Sequence, residues 1–207
     1  MSLALELITL DKKRGGNSPA ENIGLDSAIK QVHQQKHPEI GEIAPNFRLP
    51  DENGNVVALS ELLKEGPAIL SFYRGDWCPF CDLELKALQR NLADFKKHGA
   101  SLLGISPQKI SYSLVAKEKR NLEYSLLSDK GNELARTFGL LYTPPVEMEN
   151  AFKSFGLDLG EMNADASSEM PIPATYVVGT DQKIIFAFID PDHTKRAEPS
   201  DILASLM

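Results

Sequence analysis

The sequence predicts an α/β protein with three layers, in which helices cover both faces of a mixed central sheet. Short apolar segments alternate with segments of helical periodicity between residues 68 and 138, as in proteins whose parallel strands are joined through helices. Two further apolar segments, 175–178 and 184–189, flank a short polar turn that contains glycine. This hairpin adds antiparallel pairing to the parallel strands, so a mixed sheet is expected.

The first 41 residues are predicted to form a helical extension to a main domain, 42–207. Two helices are expected in the extension, at 1–10 and 20–35, because residues rich in glycine, serine and proline separate two segments of helical periodicity. The candidate buried positions of these helices are Leu3, Leu7, Leu10, Ile23, Ala28, Ile29 and Val32.

Each element of the main domain is predicted from its apolar period and its flanking turn residues. Strands are expected at 47–50, 56–59, 68–73, 101–106, 124–127, 175–178 and 184–189. Helices are expected at 60–63, 79–97, 111–120, 131–138 and 200–206. The stretch 143–172 is expected to be irregular.

Bulk composition excludes several classes of function. The 207 residues carry a formal net charge of −7, and nucleic-acid binding needs a basic surface. No apolar run is long enough to cross a bilayer, and the leucine-rich start lacks the basic residues and cleavage site of an export signal. A cytoplasmic protein, with neither nucleic acid nor membrane as partner, is expected.

The chain has only two cysteines, Cys78 and Cys81, in a W-C-P-F-C segment at the predicted junction of a strand and a helix. Pro79 suits the first position of that helix. Both sulfurs should then lie near the positive end of the helix dipole, which favours thiolate over thiol. Arg74 supplies a second positive charge nearby. We expect Cys81 on the inner face of the helix and Cys78 at its N-cap, in a more exposed position.

A dithiol at such a place can perform redox chemistry. A thiolate attacks a disulfide sulfur or a peroxide oxygen, the latter giving a sulfenic acid, and the second thiol then closes a disulfide that an external reductant reopens. Two other interpretations are inert core thiols and half of a zinc site. Zinc needs four ligands, and the four histidines are scattered along the chain, so no metal site and no cofactor are predicted.

Several segments together resemble the peroxiredoxin-like branch of the thioredoxin superfamily, the group named for alkyl hydroperoxide reductase and thiol-specific antioxidant. They are 41–50, 72–81, 127–132 and 174–178. The resemblance implies a thioredoxin-like three-layer fold with a mixed central sheet flanked by helices. It also implies reduction of a hydroperoxide substrate, recycling by thioredoxin, glutathione or a similar reductant, and compatibility with a homodimer.

The chain departs from the peroxiredoxin pattern P-x-x-x-T-x-x-C. That pattern puts the attacking cysteine at Cys81, but its threonine is Cys78 here, its proline is Arg74, and its distant arginine falls at about Pro173. Thioredoxin-like dithiol enzymes match better at these points. In their pattern Cys78 attacks, and Pro173, shortly before Thr175, is the cis-proline that lies against the disulfide. The attacking sulfur therefore stays open.

Three functions remain in competition: a thiol peroxidase, a protein disulfide oxidoreductase, and a non-catalytic redox sensor or binding module. Arg74 is a candidate for lowering a cysteine pKa, and Trp77 for covering the site. His193 is expected at the surface, and neither it nor Arg196 has a predicted chemical role, although the resemblance includes the stretch around them.

Overall fold

The computed structural model describes residues 2–207. The helices are Leu3–Arg14 (α1), Pro19–Val32 (α2), Leu59–Glu65 (α3), Pro79–Lys97 (α4), Ile110–Arg120 (α5), Glu133–Thr137 (α6), Val146–Ser154 (α7), Leu159–Met162 (α8) and Pro199–Ala204 (α9). The strands are Arg48–Pro50 (β1), Val56–Ala58 (β2), Ala68–Phe72 (β3), Ser101–Ser106 (β4), Ser125–Ser128 (β5), Leu141–Tyr142 (β6), Met170–Pro171 (β7), Ala174–Val178 (β8) and Ile184–Ile189 (β9).

The central sheet has five strands in the order β5-β4-β3-β8-β9. Strand β3 pairs in parallel with β4, which pairs in parallel with β5, whereas β8 runs antiparallel to both β3 and β9. The predicted α/β class and mixed sheet are therefore confirmed. Because β3 lies in the middle, its side chains are buried on both faces, which explains the uninterrupted apolar run.

Two apolar cores lie on opposite faces of the sheet and complete the three layers. Helices α1, α4 and α9 contribute to one core together with Tyr73. Helices α3 and α6 cover the other face, where the rings of Phe72, Phe138 and Tyr176 pack together with centroids 4.8–6.4 Å apart. The β3–α4 junction contributes residues to the first of these cores.

The N-terminal helices differ from their predicted bounds. Helix α1 continues to Arg14 and ends in the left-handed residue Gly15, φ +83°. In α2, Ile23 is 45% exposed, so its prediction as a buried residue is wrong. The reason is that α2 turns Gly24 and Ala28 toward the body. Gly24 approaches Met148 of α7 so closely that an added Cβ would lie 2.3 Å from its sulfur.

The prediction of an irregular stretch at 143–172 is also wrong. It contains α7, α8 and strand β7, which pairs with β6. Helix α7 buries Met148 against Tyr142, whose hydroxyl donates to the carbonyl of Gly24. Helix α7 has too few apolar positions for the sequence to predict it, and it is stabilised by packing against α2.

The start of α1 is tied to a residue near the end of the chain. The carboxylate of Glu198 accepts hydrogen bonds from the N–H groups of Leu3 (3.1 Å) and Ala4 (2.6 Å). Leu3 and Leu7 are buried in the same core as α4. The division of the chain at residues 41 and 42 stays a prediction. None of the described helices is both long and apolar enough to cross a membrane.

Candidate active site

The two cysteines lie at the β3–α4 junction. Cys78 is the N-cap of α4, and Cys81 lies in its first turn after Pro79. Both are free thiols with no exposed surface. The expectation of an exposed Cys78 is wrong, because this sulfur belongs to the core that α1 helps to close through Leu7.

Each sulfur is contacted by a buried guanidinium. Arg74, in the loop before the helix, donates from Nη2 to Cys78 Sγ at 3.0 Å. Arg196, from the segment that connects β9 to α9, donates from Nη2 to Cys81 Sγ at 3.3 Å. Their residue exposures are 6% and 7%. The dithiol is therefore enclosed between two cations that have little access to water.

Glu84 fixes the position of Arg196. Its carboxylate accepts from Arg196 Nε and from the hydroxyl of Ser71, the latter at 3.3 Å. Arg196 also donates from Nη1 to the carbonyl of His193 at 2.7 Å. Both Glu84 and Arg196 have nearly no exposed side chain. Sequence reasoning missed both residues. The available signal was an acidic residue beside the apolar stripe of α4.

The electrostatics of the two cysteines differ. Burial disfavours the Cys78 thiolate, but the hydrogen bond from the Cys81 thiol and the charges of Arg74 and Arg196 outweigh it, so the pKa of Cys78 lies well below its ordinary value. Burial and the neighbouring Cys78 thiolate hold the pKa of Cys81 well above its ordinary value. The pair therefore shares one proton, which stays on Cys81.

A groove lies at the surface beside this site. Its volume is about 590 Å³, and Arg74, Trp77 and Pro79 form the end nearest the dithiol. The α1–α2 connection lines one side and α7 the other. The Trp77 ring packs on Phe152 of α7 with centroids 5.2 Å apart, and Arg74 lies 5.1 Å over the same Trp77 ring. Phe155, at the end of α7, is 85% exposed beside the groove.

Comparison with known proteins identifies the family. The model of the AhpC/TSA family matches residues 40–187, well over half of the chain. The chain belongs to the AhpC/TSA family.

Relatives within the family match over part of their length. The chain is 37% identical over 100 residues to a peroxiredoxin Q, chloroplastic, of Oryza sativa subsp. japonica, covering 48% of this chain and 46% of that one. It is 36% identical over 101 residues to peroxiredoxin Bcp of Escherichia coli (strain K12), covering 48% and 64%. The matched part is thus about half of the chain and half to two thirds of these relatives.

Solved structures extend the likeness to most of the chain. Peroxidoxin BcpB from Mycobacterium tuberculosis superposes with a TM-score of 0.64 at 26% identity, covering 82% of this chain and 97% of that one. A mutant PrxQ of Xylella fastidiosa superposes with a TM-score of 0.64 at 18% identity, covering 83% and 96%. The latter likeness shows the fold alone. Together they confirm the thioredoxin-like fold.

Pro173 does not have the predicted conformation. None of the peptide bonds between described residues is cis, so its prediction as a cis-proline is wrong. Ile172 already donates its N–H to the carbonyl of Leu140 at 2.7 Å, which leads the chain into β8 in an extended form. Pro173 lines a small cavity together with Arg74. Thr175 is buried in β8 opposite Ser71 of β3.

Arg196 is located where sequence reasoning expected no functional residue. The family pattern pointed to position 173 for the distant arginine, yet the cation that reaches Cys81 comes from beyond β9. His193, three residues earlier, is 6% exposed and contacts the Phe80 ring edge-on, so its prediction as a surface residue is wrong. Burial and the charges of Arg74 and Arg196 lower the pKa of His193 to about 2. The imidazole is therefore neutral.

Proposed function

We propose that the protein is a thiol-dependent peroxidase of peroxiredoxin type, which reduces hydroperoxides through a dithiol–disulfide cycle of Cys78 and Cys81. The single observation that supports this most is the pairing of each buried sulfur with its own buried guanidinium. Cations held in a water-poor site stabilise the thiolate and the charge that develops on a peroxide oxygen. The family relationship supports the same reaction.

In the proposed cycle the Cys78 thiolate attacks the terminal oxygen of the hydroperoxide. A sulfur–oxygen bond forms, the oxygen–oxygen bond breaks, and the departing alkoxide leaves as an alcohol after taking a proton. The Cys81 thiol, which is hydrogen-bonded to Cys78, donates that proton in the proposed cycle. Burial raises the pKa of Cys81 throughout, but the part of the rise that comes from the Cys78 thiolate is lost when that thiolate reacts. The guanidinium groups of Arg74 and Arg196 are positioned to bind the peroxide oxygens.

The second step uses the thiolate left on Cys81. It attacks the sulfur of the Cys78 sulfenic acid, a disulfide forms, and the hydroxyl leaves as water after protonation. A thiol reductant such as thioredoxin or glutathione then supplies two electrons and two protons and restores the dithiol. We place this cycle in the cytoplasm, whose thiol pool keeps such pairs reduced.

Burial of the sulfurs favours a small substrate over a protein disulfide. Cys78 and Cys81 have no exposed surface, and a disulfide on another protein must reach the attacking sulfur to exchange with it. The route proposed for the hydroperoxide is the groove beside Trp77, which Arg74, the partner of Cys78, lines. The lowered pKa of Cys78 and its contact with Arg74, which lines the groove, support Cys78 as the attacking sulfur in this proposal, although the family pattern aligns that role with Cys81.

Single replacements test both the function and the assignment. Reduced Cys78→Ser and Cys81→Ser proteins are treated with hydroperoxide, and sulfenic acid is trapped and located by peptide mass. The expected adduct is on Cys78 in the Cys81→Ser protein, formed far faster than on a free thiol. Oxidation of the wild-type protein no faster than that of a free thiol would contradict the peroxidase. An adduct found only on Cys81, in the Cys78→Ser protein, would mean that Cys81 is the attacking cysteine and Cys78 the resolving one.

A further inference from the structure

A third buried arginine contacts the segments on both sides of the dithiol. Arg120 is the last residue of α5 and is 9% exposed. Its guanidinium forms an ion pair with Asp76 through Nη1, and a second with Asp82 through Nε at 2.6 Å. Asp76 lies two residues before Cys78, and Asp82 directly follows Cys81. One side chain from another helix therefore joins the two ends of the C-x-x-C segment.

Further hydrogen bonds make this junction rigid. Arg120 donates from Nη2 to the Asp76 carbonyl at 3.4 Å and from Nη1 to the Ala116 carbonyl at 3.2 Å. The Asp76 N–H donates to the side-chain oxygen of Gln108 at 2.8 Å. The Asp82 N–H in turn donates to the Cys78 carbonyl at 3.0 Å. The two ends of the segment are thus held from outside by Arg120 and Gln108, and its second half is held by the first turn of α4.

The charges involved oppose the proposed chemistry unless they are neutralised. A carboxylate next to a sulfur disfavours its thiolate, and Asp82 shares the first turn of α4 with Cys81. Lys86 contacts Asp82 at 2.9 Å from the solvent side, but Asp76 has no cationic contact other than Arg120 among the described residues. Arg120 is the cation common to both.

We propose that Arg120 is a positioning residue of the dithiol: it binds one carboxylate on each side of the cysteines, fixes the segment between them, and cancels two negative charges that would oppose the Cys78 thiolate. The inference rests on the proposed function, in which that thiolate attacks. Arg120 contacts neither sulfur and acts only through Asp76 and Asp82.

The other charged and titratable groups near the sulfurs remain in place when Arg120 is replaced. They come from the end of α1, the loop between β3 and α4, α4 itself and the segment after β9. They are Arg14, Tyr73, Arg74, Glu84, His193 and Arg196. A change in the behaviour of Cys78 on replacing Arg120 therefore reports the two aspartates.

The test measures the pH dependence of Cys78 alkylation in the reduced protein, with the site identified by peptide mass. In Arg120→Met, the profile is expected to move toward higher pH by about one unit, since Asp76 then loses its cationic contact and Asp82 keeps only Lys86. Arg120→Lys keeps the charge and is expected to move it by less than half as much. A lowered melting temperature with an unmoved profile in Arg120→Met would overturn the proposal.

Two further variants make the result decisive. In Asp76→Asn/Asp82→Asn/Arg120→Met, both carboxylates are gone, and the profile is expected to return close to that of the wild type; a profile that stays high overturns the proposal. Asp82→Asn alone leaves Arg120 paired with Asp76, so it keeps the fold even if Arg120→Met does not. Asp82→Asn is expected to move the alkylation profile toward lower pH, and an unchanged profile counts against the proposal.

The alkylation profiles of all these variants are measured without peroxide. A wild-type protein that fails to reduce hydroperoxides would contradict the proposed function and leave these shifts unaffected. Normal turnover together with an unmoved Arg120→Met profile would contradict only the role of Arg120.

Discussion

Replacing Arg196 with methionine is expected to destabilise the protein and to slow peroxide reduction for separate reasons. The side chains of Arg196 and Glu84 are 1% and 2% exposed. Removing one partner of such a buried pair leaves a charge without compensation and costs about 3–5 kcal/mol. Burial already raises the pKa of Glu84, and without Arg196 it rises further. Protonation of the carboxyl then relieves part of the penalty, so a loss near 3 kcal/mol is expected.

This loss should depend on pH in a defined direction. An acid whose pKa is raised by folding binds more protons in the folded state than in the unfolded state. Stability therefore falls as pH rises from its unfolded value, about 4.3, through the folded one. The difference between wild type and Arg196→Met in urea unfolding, measured with both proteins reduced, is expected to be larger at pH 8 than at pH 5.

The double variant Glu84→Gln/Arg196→Met separates stability from activity. With the unpaired charge gone, stability should return to within about 2 kcal/mol of the wild type. The donor to Cys81 Sγ is still missing, and loss of a preorganised donor costs about 10²- to 10³-fold in rate. Peroxide turnover should therefore stay low in a stable protein. Recovery of turnover in the double variant, or full stability of the single one, would refute the reasoning.

Three other predictions concern neighbouring residues. The melting temperature of reduced wild type minus that of Cys78→Ser should increase with pH up to the ordinary thiol pKa of about 8.5. The reason is that a thiol whose pKa is lowered by folding stabilises the folded state only as it ionises. A flat difference below about pH 8.5 would contradict the lowered pKa. Leu7→Ala should lower the free energy of unfolding, measured in urea, by about 2–5 kcal/mol. The matched control Leu5→Ala, at a position 50% exposed, should lower it by less than about 0.5 kcal/mol. Equal losses would mean that α1 does not pack against the core. Phe152→Ala should shift the fluorescence of Trp77, the single tryptophan, to longer wavelength, since this ring packs against it; an unchanged spectrum would contradict that contact.

The central sheet was predictable because its signals are local. Ala68–Phe72 and Ser101–Ser106 are short apolar runs bounded by turn residues, and these two consecutive strands of the sheet pair with each other. Helix α7 was not predictable in the same way. Met148 is its only fully buried residue, so the helix depends on α2, which lies more than 110 residues earlier in the chain.

The site residues also fall into two groups, those close together in the sequence and those far apart. The dithiol and Arg74 lie within one short segment, so spacing alone brought them together. Arg196 and Glu84 are 112 residues apart, and only the return of the chain beyond β9 brings them to Cys81. The burial of Cys78 likewise depends on α1, whose packing no local pattern reveals. The bond before Pro173 is trans, the form that most X–Pro bonds take.

The contact between Glu198 and the start of α1 has a consequence for how the chain folds. These partners are separated by 195 residues, so the loop between them is nearly the whole chain, and contacts of such separation form late. During synthesis, α4 is made long before Glu198, so the apolar face of α1 that carries Leu3 and Leu7 can pack against α4 first. The hydrogen bonds that Glu198 accepts from the start of α1 form only after nearly all of this sequence has been made.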